Sequence, residues 1–228
     1  MPDIPAPYQL HHCVSARSFR PLWMLEELQQ PYQLLMLPFP PRALARDYLA
    51  LNPLGTVPLL RHGAARLTES AAICEYLAAR HPGTGLSVAA HEADFAAYLN
   101  WLHMSDATLT FPQTLVLRYT HFEPPERLQP QVAQDYARWF LARLRAIEAA
   151  VEQQQWLCAG RFTAADVAVG YALMLAAHLE LDSQWGPATQ AYWQRLQARP
   201  AFARALAAEH SAALAQGVPT TPSPLIRP

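Results

Sequence analysis

The stretch LNPLGTVPLL, residues 51–60, ends like a buried β-strand and yet holds a proline inside that strand. Val57, Leu59 and Leu60 are the apolar residues that indicate the strand. Pro58 lies among them without a backbone N–H to donate, and a proline normally excludes a central strand. Either Pro58 belongs to an edge strand, or the chain uses this proline for a purpose other than sheet pairing.

The residues around this stretch predict a small α/β domain. Hydrophobic periodicity, helix-start residues and breakers define its elements. They are a strand over 8–12, a helix over 19–28, a strand over 32–37, a helix over 44–51, two strands over 57–61 and 64–67, and a helix over 68–80. A helix joins the first two strands, which predicts parallel pairing, whereas the last two strands form an antiparallel hairpin.

Strand patterns end near residue 89, and the second half of the chain predicts helices only. The amphipathic stretches cover 89–119, 125–154, 163–179 and 187–213. We therefore predict an α/β plus all-α protein. Its parts are a βαβαββα domain over 1–82, a linker over 83–88, a helical domain over 89–216 and a Pro-rich tail over 217–228. Thr163 and Asp166 have the spacing of a capping box.

Composition argues against several classes of partner. The 228 residues carry a formal net charge of -1, which offers neither a basic surface for nucleic acid nor a polybasic anchor for a membrane. The chain has three widely spaced cysteines, Cys13, Cys74 and Cys158, and an odd number does not suit a disulfide framework. We therefore expect free thiols in a reducing cytoplasm. The N-terminal sequence also lacks the pattern of a signal peptide. His11 and His12 project to opposite faces of a strand, and we expect no metal site.

Four segments, in this order, resemble cytosolic glutathione S-transferases. They are LWMLEELQQPYQL (22–34), LALNPLGTVPLL (49–60), LTESAAICEYL (67–77) and FTAADVAVGYAL (162–173). The resemblance is to bacterial, serine-type members or to a related bacterial and fungal group with an Asn-Ser-Arg-Ser segment, where this chain has Ser-Ala-Arg-Ser. It implies a thioredoxin-like first domain, a helical bundle after it, glutathione as co-substrate and a homodimer.

The resemblance gives Pro58 a function. In this family a cis peptide bond joins the proline to the residue before it, and cis bonds are accessible mainly before proline. The backbone of Val57 would then pair with the cysteinyl segment of glutathione. Glu69 and Ser70 would hold the γ-glutamyl group, the serine at a helix start where anions bind well. An edge-strand proline and an ordinary capping pair are the alternatives.

The glutathione thiol must lose its proton before it can attack, since a free thiol has a pKa of about 8.5. By resemblance, the activating hydroxyl belongs to Ser15. The alternatives are Ser18, the backbone N–H of Ala16, and activation without a single essential side chain. Cys13 would serve instead in a cysteine-type mechanism, although a buried inert thiol is the simpler interpretation. Arg17, Arg42 and Arg46 are the candidates for binding the glycyl carboxylate.

The second substrate would lie against the helical domain. The stretch YLNWLHMSDATLTFPQTLVLRY (98–119) is rich in aromatic residues and resembles a segment of the same bacterial and fungal group. We expect Trp101 to belong to the core. The residues predicted to line an apolar pocket are His103, Ala107, Phe111 and Tyr119.

The sequence therefore predicts a glutathione transferase that conjugates glutathione to a hydrophobic electrophile without a metal. Two alternatives stay open. One is a glutathione-dependent peroxidase or thiol-disulfide reductase, and the other is a non-catalytic binding protein of the same fold. Ala16 and Arg17 replace the Ser-Cys of the Ser-Ser-Cys-Ser pattern, which argues against maleylacetoacetate isomerase.

Overall fold

The computed structural model describes residues 7–223. Two predicted segments lie partly outside the described residues: residues 1–6 of the first domain and residues 224–228 of the tail. The expectation of no signal peptide concerns the first of these and is not addressed by the structure. Contacts group the described chain into two compact units. One consists of residues 7–81 and 199–223, and the other is Pro82–Ala198.

A mixed four-stranded sheet forms the centre of the first unit. Its strands are β1 (Tyr8–His12), β2 (Tyr32–Met36), β3 (Leu59–His62) and β4 (Ala65–Leu67), and their order across the sheet is β2-β1-β3-β4. β1 and β2 are parallel, β1 and β3 are antiparallel, and β3 and β4 form the antiparallel hairpin. The predicted βαβαββα order of a thioredoxin-like domain is confirmed.

Nine α-helices lie within the described residues. They are α1 (Phe19–Leu28), α2 (Pro41–Leu44), α3 (Ser70–Arg80), α4 (Phe95–Met104), α5 (Phe111–Leu117), α6 (Pro130–Gln153), α7 (Ala164–His178), α8 (Pro187–Gln197) and α9 (Pro200–Ala215). α4 to α8 belong to the second unit, whereas α9 belongs by its contacts to the first. A helical second half is thereby confirmed.

Three predicted helices differ from the observed ones. The helix predicted over 44–51 is instead the short α2 followed by a 3₁₀ turn, Arg46–Ala50, because Ala45 leaves helical geometry. The stretch 187–213 is two helices, because Pro200 has no N–H and holds Arg199 in an extended conformation. Within 89–119 the helix begins only at Phe95, and π-helical segments follow α4 and α5.

Helix α9 packs on α1 through aromatic rings and ion pairs. The ring of Phe202 makes edge contacts with Phe19 and Trp23, at centroid distances of 5.6 and 4.9 Å. The guanidinium of Arg199, just before α9, donates two hydrogen bonds of 2.6 and 2.7 Å to the carboxylate of Glu27. The last helix is therefore an integral part of the first unit, since burial of large aromatic rings is a main source of packing energy.

The second unit is organised around the start of α7. Thr163 accepts a hydrogen bond from the N–H of Ala165, and Asp166 accepts one from the N–H of Thr163, which confirms the predicted capping box. Asp166 also accepts from the N–H of Leu157 and the hydroxyl of Tyr192. Burial raises the pKa of Asp166 to about 6.

None of the helices in residues 7–223 is both long and apolar enough to cross a membrane.

Thr163→Ala is expected to lower the free energy of unfolding by about 1–2 kcal/mol, because the N-terminus of α7 loses its cap in a buried place. The control is Thr120→Ala, an exposed threonine whose hydroxyl bonds only the carbonyl of Val116, and it should change stability by less than about 0.5 kcal/mol. Urea unfolding measures both variants. Equal losses in the two would contradict the structural importance of the cap.

Candidate functional site

The strand register brings the predicted glutathione-binding residues of the first unit to one end of the sheet. His11 at the end of β1 lies opposite Leu59 at the start of β3. Leu60 lies opposite Leu67 at the end of β4. The turn after β1, the segment Val57–Pro58 and the start of α3 consequently lie at the same end of the sheet.

The bond between Val57 and Pro58 is cis, as the resemblance implied. Pro58 is buried, and Val57 is partly exposed ahead of the first residue pair of β3. Since the register of the described strands begins at Leu59, the ladder does not include Val57. The question raised by the proline is thereby answered, because Pro58 stands before the strand and not within it.

Two side chains that sequence reasoning missed fix the loop before Val57. The hydroxyl of Tyr48 and the amide of Asn52 both donate to the carbonyl of Thr56, each at 2.8 Å. Asn52 is 3% exposed, and its amide oxygen accepts from the N–H of Leu54. Sequence reasoning treated Asn52 only as the residue at which the second helix ends. A buried asparagine in a tight loop positions the backbone beside it, since its hydrogen bonds must be satisfied locally.

Ser70 is the first residue of α3 and is 2% exposed. Its hydroxyl oxygen accepts a 2.8 Å hydrogen bond from the guanidinium of Arg20, which is fully buried. A positive charge beneath a helix N-terminus adds to the helix dipole, so this place favours an anion. Sequence reasoning assigned no function to Arg20, because the pattern of an apolar helix does not reveal which group an arginine within it will contact.

Glu69 precedes α3 and is exposed. Its side chain makes no capping hydrogen bond to the helix, so the ordinary capping pair is not what the structure shows. The Glu69 carboxylate therefore does not cap the N-terminus of α3.

The segment after β1 contains both candidate hydroxyls. Ser15 is partly exposed and has a left-handed backbone, with φ of 53°. Ser18 is fully buried, and its hydroxyl accepts from the N–H of Cys13 at 3.3 Å. The N–H of Ala16 donates to the carbonyl of Cys13 at 3.1 Å. Ser15 is therefore the more exposed of the two candidate serines, and the Ala16 N–H already has an acceptor.

Cys13 lies in surroundings that disfavour a thiolate. It is fully buried, and burial together with the charge of Glu209 raises its pKa to about 12. Cys74 and Cys158 are also free and buried, with pKa values raised by burial to about 12 and about 11. A cysteine-type mechanism needs a thiolate near neutral pH, and Cys13 does not provide one.

The three candidate arginines lie near the same end of the sheet. β2 runs parallel to β1, with His12 opposite Met36, so the chain leaves both strands in the same direction. Arg42 in α2 and Arg46 after it are exposed, while Arg17 in the turn after β1 is partly buried.

The second unit carries the residues predicted for the electrophile. His103, Ala107 and Phe111 are all exposed at intervals of four residues, and Phe111 is 51% exposed. They span the π-helical segment Ser105–Thr110, and Tyr119 is partly exposed further along. π-helical segments often occur at functional sites. Trp101, at 9% exposed, belongs to the core as expected.

The first unit also holds a cavity of about 220 Å³ that sequence reasoning missed. Its lining residues are Val14, Leu37, Pro38, Phe39, Pro219, Thr221, Pro222 and Ser223. Most of these side chains are apolar, and Val14 directly precedes Ser15. The segments meet only in the folded chain, so hydropathy patterns do not reveal the cavity.

A thioredoxin-like unit with a cis-proline before its third strand, followed by a helical domain, has the fold of a glutathione transferase. Residues 14–80 match the family profile of the glutathione S-transferase N-terminal domain, and residues 114–200 match that of the C-terminal domain. The chain belongs to the glutathione S-transferase family and is a glutathione-binding transferase.

Relatives of known sequence and structure agree. Glutathione S-transferase GstA of Escherichia coli O157:H7 is 30% identical over 72% of this chain and 78% of its own length. Glutathione S-transferase 3 of Zea mays is 30% identical over 71% and 75%. The crystal structure of a glutathione transferase from Methylococcus capsulatus is 28% identical with a TM-score of 0.76, covering 88% of this chain and 98% of its own.

In the native protein at pH 8, a colorimetric disulfide reagent is expected to react at least 100-fold more slowly than with the urea-unfolded chain. Raising a thiol pKa from about 8.5 to about 12 reduces the thiolate fraction roughly 10³-fold. The unfolded chain should yield three thiols, the number in the sequence. A fast-reacting thiol that disappears in Cys13→Ala would contradict the inert assignment.

Proposed function

We propose that this transferase conjugates glutathione to a small hydrophobic electrophile, with the hydroxyl of Ser15 stabilising the thiolate. It would then belong with the serine-type members or with the related bacterial and fungal group. The observation that carries the proposal is the contrast in the turn after β1. Ser15 is partly exposed at the end of the sheet that holds Val57–Pro58 and Ser70, while Ser18 is buried.

Glutathione would extend across this end of the sheet. Its cysteinyl backbone would pair with Val57, which lies outside the ladder. Its γ-glutamyl carboxylate would bind at the start of α3, where Ser70 and the helix dipole favour an anion. Its ammonium would meet the exposed Glu69. The positive charge behind Ser70 supports this orientation.

The glycyl carboxylate needs a cation at the other end of the tripeptide. Arg42 and Arg46 offer exposed guanidinium groups on the segment after β2, and Arg17 offers one in the turn after β1. A bidentate arginine–carboxylate pair would fix the ligand, since arginine matches carboxylate geometry.

Ser15 would donate a charge-assisted hydrogen bond to the sulfur and lower the pKa of the bound thiol. The thiol proton goes to solvent. The thiolate then gives an electron pair to the electrophilic carbon, a C–S bond forms, and the leaving group departs with its own pair. Catalysis rests on thiolate stabilisation and on positioning of the two substrates.

The electrophile is proposed to be apolar. The cavity beside Val14 has a largely apolar lining, which supports this class of substrate. His103, Ala107, Phe111 and Tyr119 are proposed as the residues of the helical domain that bind the electrophile.

The alternative functions gain no support from a specific observation. A cysteine-type reductase needs the thiolate of Cys13, which is buried with a raised pKa. The idea that the reaction needs no metal stays a prediction.

We also propose a cytoplasmic homodimer. The three free, buried cysteines support a reducing compartment. Four exposed leucines within eleven residues of the first unit support a subunit contact, since clustered exposed apolar side chains mark interaction surfaces. They are Leu44, Leu49, Leu51 and Leu54.

Ser15→Ala is expected to lower kcat 10–100-fold and to raise the pKa of bound glutathione by about 1–2 units, because the sulfur loses a charge-assisted hydrogen bond. Stopped-flow conjugation and the thiolate absorbance near 240 nm measure the two effects. The control is the exposed Ser183 of the second unit, replaced by Ala. Unchanged turnover in Ser15→Ala would exclude this hydroxyl as the activator.

Ser70→Ala is expected to act on affinity instead. Loss of one hydroxyl donor to a carboxylate should raise the glutathione Kd about tenfold, while kcat at saturating glutathione stays within about threefold. Titration calorimetry gives the Kd, and Ser183→Ala again serves as the control. Failure of the unsubstituted protein to bind glutathione at all would overturn the proposed function itself.

A further inference from the structure

The turn that carries Ser15 is tied to the last helix of the same unit. Glu209 lies on α9 and is 4% exposed. Its carboxylate oxygen Oε2 accepts a 2.7 Å hydrogen bond from Nε2 of His12 and another of 2.7 Å from the backbone N–H of Ser15. A single buried oxygen therefore holds the end of β1 and the following turn, across 194 residues of sequence.

The geometry of Ser15 makes this contact specific. Residues other than glycine seldom adopt a left-handed backbone, and Ser15 does so with φ of 53°. Such a conformation persists where surrounding contacts enforce it. The Glu209 carboxylate binds the N–H of Ser15 itself, so the contact acts on the residue whose backbone is unusual.

The contact also affects which donors the sulfur of glutathione can use. The N–H of Ser15 donates to Glu209, and the N–H of Ala16 donates to the carbonyl of Cys13. Glu209 itself would be a poor neighbour for a thiolate, because like charges repel. Its value to the site lies in placing the turn, since both of its hydrogen bonds go to the protein.

On the basis of the proposed function, we propose that Glu209 is a positioning residue for catalysis. Its carboxylate fixes the left-handed turn at Ser15 and thereby sets the hydroxyl at the position where it meets the glutathione sulfur. Helix α9 is then part of the activating machinery of the first unit. Nothing in the sequence indicated this, because a glutamate near the C-terminus shows no link to a turn near the N-terminus.

The test compares Glu209→Ala with Glu209→Gln in the full-length protein. Glu209→Ala removes both hydrogen bonds. It should lower kcat 10–100-fold and raise the thiol pKa of bound glutathione by about one unit, with the glutathione Kd within about threefold. Glu209→Gln keeps an acceptor oxygen at the same reach and should restore kcat to within about threefold of the unsubstituted protein. A purely structural role would move thermal stability and leave the thiol pKa unchanged.

A matched control loosens α9 elsewhere. Arg204 on the same helix bonds Glu26 of α1 at the surface and lies five residues before Glu209, about 7.5 Å along the helix axis. Arg204→Gln should leave both kcat and the thiol pKa unchanged within about twofold. Equal effects of Arg204→Gln and Glu209→Ala would show that any weakening of α9 suffices, and would overturn the proposal.

A double-mutant cycle separates this proposal from the choice of activator. If Glu209 acts through Ser15, Glu209→Ala should have little further effect on kcat in a Ser15→Ala background. Equal fold losses in both backgrounds would overturn the positioning role while leaving the transferase function intact. Unchanged turnover in Ser15→Ala would instead refute Ser15 as the activating residue. A protein that does not bind glutathione would refute the proposed function.

Glu209→Asp keeps the test decisive if Glu209→Ala does not fold. The aspartate is one methylene shorter, retains the charge, and loses reach to both donors at once. We expect kcat to fall 3–10-fold and the thiol pKa to rise. An Asp variant with the kcat and thiol pKa of the unsubstituted protein would overturn the proposal.

Discussion

The antiparallel pairing of β1 with β3 is the constraint on which the site depends. Because His11 lies opposite Leu59, the end of β1 meets the start of β3, and the turn with Ser15 comes to the same end of the sheet as Val57. A shift of one residue in this register would move each side chain of β3 to the opposite face of the sheet. The fully buried Leu10 and Leu60, paired across the two strands, disfavour that shift.

Buried polar contacts then turn this end of the sheet into a specific site. Arg20 fixes the hydroxyl of Ser70, Asn52 fixes the carbonyl before Val57, and Glu209 fixes the turn at Ser15. Each of these three supporting side chains is buried, so each must find its partners inside the protein. The residues that would meet glutathione are thus held by residues that would not, which is how a site becomes preorganised.

Much of the fold could be predicted from local patterns. Short-range or family signals predicted four features that the structure has. They are the order of strands and helices along the chain up to α3, the helix from Phe19, the cis bond at Pro58 and the capping box at Thr163. The break at Pro200 and the 3₁₀ turn after α2 were missed, because an apolar periodicity continues across both. The contacts of α9 with α1 depend on tertiary packing, which no window of sequence contains.

The activating group illustrates where sequence reasoning ends. Pattern and resemblance offered two hydroxyls and one backbone N–H within four residues, and spacing alone did not separate them. In the fold their environments differ: Ser18 is fully buried, and the N–H of Ala16 donates to the carbonyl of Cys13. The N–H of Ser15 is bound by Glu209, from the far end of the chain. If Ser15 stabilises the sulfur anion as proposed, a carboxylate from the far end of the chain contributes to the chemistry by positioning the turn that carries this serine.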